Sequence, residues 1–353
     1  MFFEKKLKSP IALKKKYPLS KEDEKTLFSF RNESKKISRN ESHKIAIFVG
    51  PCSIHNEESL ISYATKLFKI QNQVKDKIFL ILRCHIEKPR TTTGWKGFLM
   101  DPNLDNSCDI NSGLERSRKL FSSLTQLKIP ISLEILNPIF IPYYEDLITW
   151  GFIGARTSSS QIHREIASKL DFPVGFKNNP EGSLVKAIQS MKSAKDSHIF
   201  PLINQFGVVS ITKSSGNLYT NLVLRGGDEK TNFDFENLFY AKTLLKKEHL
   251  HSNLIVDCAH GNSGKNIETQ KCAFKSVTSD FIRLKTPLSG IMIESFIDSG
   301  CQNFRFDYPP NPTQSITDPC ISLNDTKELI LSFYEALKLH AKELCINMQT
   351  NSA

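Results

Sequence analysis

The chain has no run of 18 apolar residues, so no membrane-crossing helix and no membrane partner are expected. Its opening, Met1-Phe-Phe-Glu-Lys-Lys6, has no long apolar core and does not read as a secretory signal. Eight cysteines are scattered without a CxxC pair or finger spacing. That argues against a disulfide framework and fits a reducing, cytoplasmic compartment. There are no internal repeats and no low-complexity segment. Acidic residues are scarce at the start: residues 1–44 hold 13 Lys/Arg against 6 Asp/Glu, so seven of the formal +10 charges lie there and about three in the rest. This arm carries no nucleic-acid-binding motif, so it reads as a solvated, partly helical extension and no nucleic-acid partner is expected.

What is present is an alternation of short apolar runs and helical periods in 353 residues, enough for one large barrel with extensions. The arm, 1–44, contains one helix that starts at Ser20-Lys-Glu-Asp23. Strands are expected at 45–49, 78–84, 131–135, 153–156, 174–177, 218–224, 254–257 and 290–294. Helices are expected at 57–73, 112–127, 142–150, 160–169, 182–194, 235–248 and 326–345. The beat breaks once, where β-rich runs at 208–212 and 218–224 flank Ser214-Ser-Gly-Asn217, a hairpin signal. A loop rich in Pro, Asn and Asp spans 300–316. The fold class is therefore α/β: a (β/α)8 TIM barrel over 45–345, with an N-terminal arm, an extra β-hairpin around strand six and a C-terminal tail at 346–353.

In such barrels chemistry sits at the C-terminal ends of the strands. Those ends carry Cys52 and His55, Arg83, Glu134, Arg156, Lys177, Arg225, Asp257 and His260, and Glu294, with Asp318 just beyond. Each alone has a bland reading, as a surface ion pair, a small buried thiol or a helix cap. So many together would be prohibitive to bury without ligands. Cys52, His260, Glu294 and Asp318 come from strands that adjoin once the barrel closes. A mixed S, N and O set suits one divalent transition metal, Mn, Fe, Co, Cu or Zn, while Mg binds thiolate poorly. Arg83, Lys88, Arg90, Arg156, Lys177 and Arg225 are more cations than one phosphate requires. They suit two phosphorylated substrates, one also a carboxylate.

The segment after the second strand, Lys88-Pro-Arg-Thr-Thr-Thr-Gly-Trp-Lys-Gly97, is similar to the signature of the type I 3-deoxy-D-arabino-heptulosonate 7-phosphate (DAHP) synthases, with Thr93 where Val is usual. GPCSIHN at 50–56, GART at 154–157, QIHRE at 161–165, PVGFKN at 173–178, LRGG at 224–227, the run from Asp257 to Ser263, Glu294-Ser295 and SITD at 315–318 follow in family order. The resemblance covers about residues 50–323. It implies metal-dependent condensation of phosphoenolpyruvate with erythrose 4-phosphate and water, releasing phosphate, at the start of the shikimate pathway. It also implies a homodimer or homotetramer. Carried over residue by residue, Cys52, His260, Glu294 and Asp318 would hold the metal. Arg83, Lys88, Glu134, Ala155, Arg156, Lys177 and Arg225 would hold phosphoenolpyruvate. Pro89, Arg90 and Thr91, with Asp318, would hold erythrose 4-phosphate. Lys88, Lys177, His260 and Cys52 would take part in catalysis. Ala259 stands where Ser is common, Pro312-Thr-Gln314 where Tyr-Gly-Lys is frequent, and Asn137-Pro138, Ile141 and Asp171 replace residues usual in a regulatory amino-acid pocket. The nearest alternative is 3-deoxy-octulosonate 8-phosphate synthase, which takes arabinose 5-phosphate and typically carries a KANRSS-type motif instead. A Schiff-base aldolase built on Lys177 is a further alternative, separable by borohydride trapping.

Overall fold

The computed structural model describes residues 4–350, with side chains to Ala341. Residues 1–3 and 351–353, which include the start of the expected arm and the end of the expected tail, lie outside the described residues. The arm holds two helices rather than one, α1 (Pro10–Lys16) and α2 (Lys21–Ser38). The second starts as expected: Ser20 Oγ accepts from the Asp23 N–H while the Asp23 carboxylate accepts from the Ser20 N–H, so two orphan donors are satisfied together.

The body then alternates strand and helix. It runs β1 (Ile45–Gly50), α3 (Glu57–Val74), β2 (Ile78–Arg83), α4 (Ile110–Gln126), β3 (Ile131–Glu134), the single turn α5 (Ile141–Tyr144), β4 (Trp150–Ile153), α6 (Gln161–Lys169), β5 (Val174–Lys177) and α7 (Val185–Lys195). Next come β6 (Ile199–Ile203), β7 (Val209–Lys213), β8 (Thr220–Leu224), α8 (Phe235–Lys247), β9 (Leu254–Asp257), the short α9 (His260–Ser263), α10 (Ile267–Leu284), β10 (Leu288–Phe296), β11 (Ile321–Ser322) and α11 (Leu323–Thr350). The parallel order is β1-β2-β3-β4-β5-β8-β9-β10, and β1 pairs back onto β10, which closes an eight-stranded barrel.

Several expected elements move. The fourth strand starts at Trp150, so Arg156 lies in the turn beyond it, and the helix expected at 142–150 is one turn flanked by 3-10 segments. The eighteen-residue α10 was not expected, and the last helix continues to Thr350. The extra hairpin is present, but β7 pairs antiparallel with β6, while β8 is a barrel strand between β5 and β9. Pro201 inside β6 hid that strand, because proline removes a ladder donor and is tolerated only at an edge.

Side chains of the strands alternate between two apolar layers. Outward residues such as Ile47, Val49, Leu80 and Leu82 pack beneath the helices. Inward residues form a separate plug of Ala46, Phe48, Phe79, Ile81, Trp150, Phe152, Val223, Ile255 and Met292. Phe48 sits edge-on to Trp150 and Phe152, with centroids 5.1 and 4.9 Å apart. Ile37 of α2 joins this interior cluster, and Asn221 Nδ2 donates to the Ser38 carbonyl at 3.1 Å. The arm thus seals the N-terminal mouth and leaves the opposite end for chemistry.

The first helix of the arm is held by Glu115 of α4, which accepts from Lys8 at 2.6 Å, from Tyr17 at 3.0 Å and from Lys16. Lys16 first, then Lys8, holds the Glu115 carboxyl at about 2, below its ordinary 4.5. A group depressed by folding stabilises above its unfolded pKa, so this clasp is complete above pH 4.5 and is lost as pH falls toward 2. Pepsin should therefore cut within residues 4–17 increasingly readily across that window. Glu115→Gln should be cut readily throughout it, with the circular dichroism of the barrel unchanged. Equal cleavage of the two proteins at pH 4.5 would contradict the clasp.

Candidate active site

Two residues beyond each inward apolar residue, the alternation brings the chain back to the interior at the open rim. Phe48 is followed by Gly50, Ile81 by Arg83, Phe152 by Gly154, Val223 by Arg225, Ile255 by Asp257 and Met292 by Glu294. Glu134 and Lys177 end β3 and β5. The register sets Gly50 opposite Glu294, and a Cβ at Gly50 would fall 2.7 Å from the Arg83 carbonyl oxygen. Because β1 offers no side chain at the rim, Arg83 fits there. It is buried, donating from Nη2 to Glu294 Oε1 at 2.8 Å and from Nη1 to Met292 Sδ at 2.7 Å.

The basic loop after β2 is held by local contacts. The Lys88 N–H donates to the Lys96 carbonyl at 2.9 Å, closing a turn. Trp95 is buried inside it and donates from Nε1 to the Asp101 carbonyl at 2.9 Å. Gly97 has φ +106°, and a Cβ there would lie 2.5 Å from the Ile86 carbonyl oxygen, so only glycine fits. This framework sends Lys88 inward and leaves Arg90 and Thr91 to Thr93 at the mouth, with Arg90 Nε donating to the Trp95 carbonyl at 2.8 Å.

Lys88 reaches a compact acid group. Cys52, Glu294 and Asp318 present one ligand atom each, all within 4.8 Å of one another. Lys88 Nζ donates to Cys52 Sγ at 2.9 Å and to Asp318 Oδ2 at 2.8 Å. Lys265 Nζ takes the other Asp318 oxygen at 2.8 Å. His260 stands just outside the group, its Nε2 3.6 Å from Glu294 Oε1. Its Nδ1 is 2.8 Å from Asp257 Oδ2, out of line for a full hydrogen bond, and Lys177 Nζ donates to that same carboxylate oxygen at 2.8 Å.

These neighbours decide the charges. Burial, reinforced by Glu294, pushes the Cys52 thiol up to about 11. Burial opposes the Lys88 charge, but Cys52, Asp318 and Glu294 outweigh it and hold the ammonium well above its ordinary range. Burial also opposes the Asp318 charge, but Lys88 and Lys265 hold that carboxyl far below its usual range. Burial, with Arg83, Lys177 and Lys88 close by, keeps His85 neutral. Burial pushes Glu87 up to about 8, so it is protonated at neutral pH.

The fourteen residues assigned to the site from the sequence come together in one place, while Asp257 lies beneath them and His55 is outside this wall. Cys52, Arg83, Lys88, Pro89, Arg90, Thr91, Glu134, Ala155, Arg156, Lys177, Arg225, His260, Glu294 and Asp318 line a single cavity of about 290 Å³. Seven Lys and Arg side chains against four carboxyl groups give its wall a positive excess, which suits anionic ligands. A thiol, two carboxylates and an adjacent imidazole are a donor set that fits a divalent transition metal. The sequence reading missed His85, Glu87 and Lys265 in this wall. Lys265 lies two residues beyond the matched run that ends at Ser263 and was legible as one more cation near a strand end. His85 and Glu87 stand inside a loop whose path no periodicity predicts.

Comparison with known proteins agrees with this geometry. Residues 17–331 match the DAHP synthetase I family. The Trp-sensitive phospho-2-dehydro-3-deoxyheptonate aldolase of Escherichia coli K12 is 37% identical over 324 residues, covering 92% of this chain and 93% of that protein. The phenylalanine-inhibited phospho-2-dehydro-3-deoxyheptonate aldolase of Saccharomyces cerevisiae is 36% identical over 345 residues, covering 96% and 93%. A solved structure of phospho-2-dehydro-3-deoxyheptonate aldolase from Francisella tularensis SCHU S4 superposes with a TM-score of 0.93 at 37% identity, covering 96% of this chain and 99% of that one. With the signature loop, the strand-end set and the barrel all in agreement, the chain belongs to the DAHP synthetase I family.

Proposed function

We propose that this chain condenses phosphoenolpyruvate with D-erythrose 4-phosphate and water to give 3-deoxy-D-arabino-heptulosonate 7-phosphate and phosphate, as a 3-deoxy-7-phosphoheptulonate synthase. The observation that carries this reading is the acid group Cys52, Glu294 and Asp318 set against a wall of buried and rim cations. Cys52, Glu294 and Asp318, with His260, would hold a divalent metal, whose chemistry is Lewis-acid polarisation of the sugar aldehyde. Arg83, Lys88, Arg156, Lys177 and Arg225, with the Ala155 backbone and Glu134, take phosphoenolpyruvate. Pro89, Arg90 and Thr91, with Asp318, take erythrose 4-phosphate. The rim cations offset the mutual repulsion of two anions and hold C3 of phosphoenolpyruvate against the aldehyde carbon, a positioning effect. A C–C bond forms there, the aldehyde oxygen gains a proton, water adds at C2, and phosphate leaves by C–O cleavage. Lys88 is a candidate proton donor, because its surroundings keep it protonated. Lys177, hydrogen-bonded to Asp257, is a second. We place the enzyme in the cytoplasm, where the seven cysteines free among the described residues stay reduced.

A homodimer or homotetramer is the assembly we propose, built on the hairpin. Its inner face buries Phe200 and Leu202, while Ile199, Val209 and Ile211 stand 69%, 70% and 85% exposed on the other. Such an apolar face is a liability unless another surface covers it.

Three outcomes test these readings. Purified protein with both substrates and Mn should form product and phosphate in equal amounts, and excess EDTA should abolish both. Phosphoenolpyruvate left intact with each of Mn, Fe, Co, Cu and Zn would sink the assignment, and preferential use of arabinose 5-phosphate would favour the octulosonate reading. Arg90→Ala should raise KM for erythrose 4-phosphate by about 10- to 100-fold, the worth of a charge-assisted contact, with KM for phosphoenolpyruvate little changed. Light scattering should report an oligomer for the wild type and smaller species for Val209→Lys with Ile211→Lys; a monomeric wild type would refute the hairpin interface.

A further inference from the structure

Asp318 is held from both sides. Its Oδ2 faces Lys88 and lies 3.4 Å from Cys52 Sγ, and its Oδ1 accepts from Lys265 at 2.8 Å. The loop that carries Asp318 fixes only its backbone, through Ser315 Oγ donating to the Asp318 carbonyl at 2.8 Å. Nothing on that loop orients the carboxylate. Lys265 does so from another element. It follows the one-turn α9, whose first residue is His260, and its N–H donates back to the His260 carbonyl at 3.3 Å. The turn is made by two successive left-handed residues, Gly264 at φ +56° and Lys265 itself at φ +61°. Glycine takes that conformation freely, whereas a lysine does so only with strain. Strain of this kind persists where the surroundings over-determine it. Here it fixes one tight turn that carries the candidate ligand His260 at its start and the partner of the candidate ligand Asp318 at its end.

We infer that Lys265 is a positioning residue for the metal group: by holding Asp318 Oδ1 it keeps Oδ2 turned toward Cys52 and Glu294. The carboxylate then offers a divalent cation one oxygen instead of swinging free. This rests on the metal reading given above. Charge repulsion acts with the opposite sign, since removing a nearby cation favours binding of another. That repulsion is weak here, because the Lys265 side chain is 59% exposed and water screens it. Losing an outer partner of a metal ligand typically weakens binding by about 10- to 100-fold.

The test reads metal affinity first, with KM for erythrose 4-phosphate measured beside it. Metal-free wild type, Lys265→Met, Lys265→Asn and Lys265→Arg are titrated with Mn and with Zn in competition with a chromophoric chelator, after circular dichroism has shown that each is folded. Asn tolerates left-handed backbone and so removes the charge without adding strain. Met and Asn should each weaken binding by about 10-fold or more, and Arg should recover most of it. Unchanged affinity in both neutral variants overturns the inference. Tighter binding overturns it as well and makes Lys265 a competitor for Asp318. A raised KM for erythrose 4-phosphate with unchanged metal affinity assigns it to substrate instead. A wild type that binds neither metal removes the metal reading itself, an outcome distinct from all of these.

Discussion

The structure turns on one buried ion pair, Arg83 with Glu294 at 2.8 Å, both almost fully enclosed. Removing either partner of such a pair costs roughly 3–5 kcal/mol, because the other is left charged and dry. That cost explains why the two halves of the site cannot be designed apart. Arg83 and Lys177 belong to the cationic wall of the cavity, yet their partners are Glu294 and Asp257, on or beneath the acid group. Lys88 spans the divide, touching Cys52 and Asp318 together. Acids and cations share one connected network, so a charged ligand that meets Arg83, Lys88 or Lys177 competes with a contact that already exists.

The departures from the family pattern sit around this network without breaking it. Ala259 lacks a hydroxyl, but its N–H still donates to Asp257 Oδ1 at 3.0 Å, which keeps that carboxylate aimed between Lys177 and His260. The loop of Pro312-Thr-Gln314 is stitched back to the strand-ten exit. The Asp298 N–H donates to the Thr313 carbonyl at 3.0 Å, and Gln314 Nε2 to the Ser299 carbonyl at 2.9 Å. Asp318 therefore leaves from an anchored backbone even though the side chains before it differ.

Most of the barrel was legible because its strands are short apolar runs and their last residues are polar. Period-two alternation carries Ile81 to Arg83 and Met292 to Glu294 with no knowledge of the fold. What failed is what alternation cannot encode. Pro201 disguised a strand, and the run before Leu224 looked like a hairpin partner although parallel neighbours claim it. The helix from Ile267 to Leu284 carries buried Ala273, Phe274 and Val277 among many Ser, Thr and Lys residues, which blurs its apolar stripe. The approach of Cys52 to Asp318, 266 residues apart, exists only once the ring has closed. His260, expected in the same ligand set, stands beside the group with Nε2 3.6 Å from Glu294 Oε1.

The seal at the barrel floor has a consequence for how the chain comes to be folded. Ile37 and the Ser38 carbonyl are made before any strand, yet their partners Asn221, Val223, Asn253 and Ile255 arrive 183 residues or more later. The pairing of β1 with β10 is longer still in sequence. Contacts of such separation form slowly, because the loop must be closed before the contact rewards it. During synthesis the second arm helix waits as an amphipathic segment without its socket, and the first strand waits with an open edge. The same contacts that make the finished ring tight thus leave its earliest parts exposed longest, the condition in which chaperones capture nascent chains.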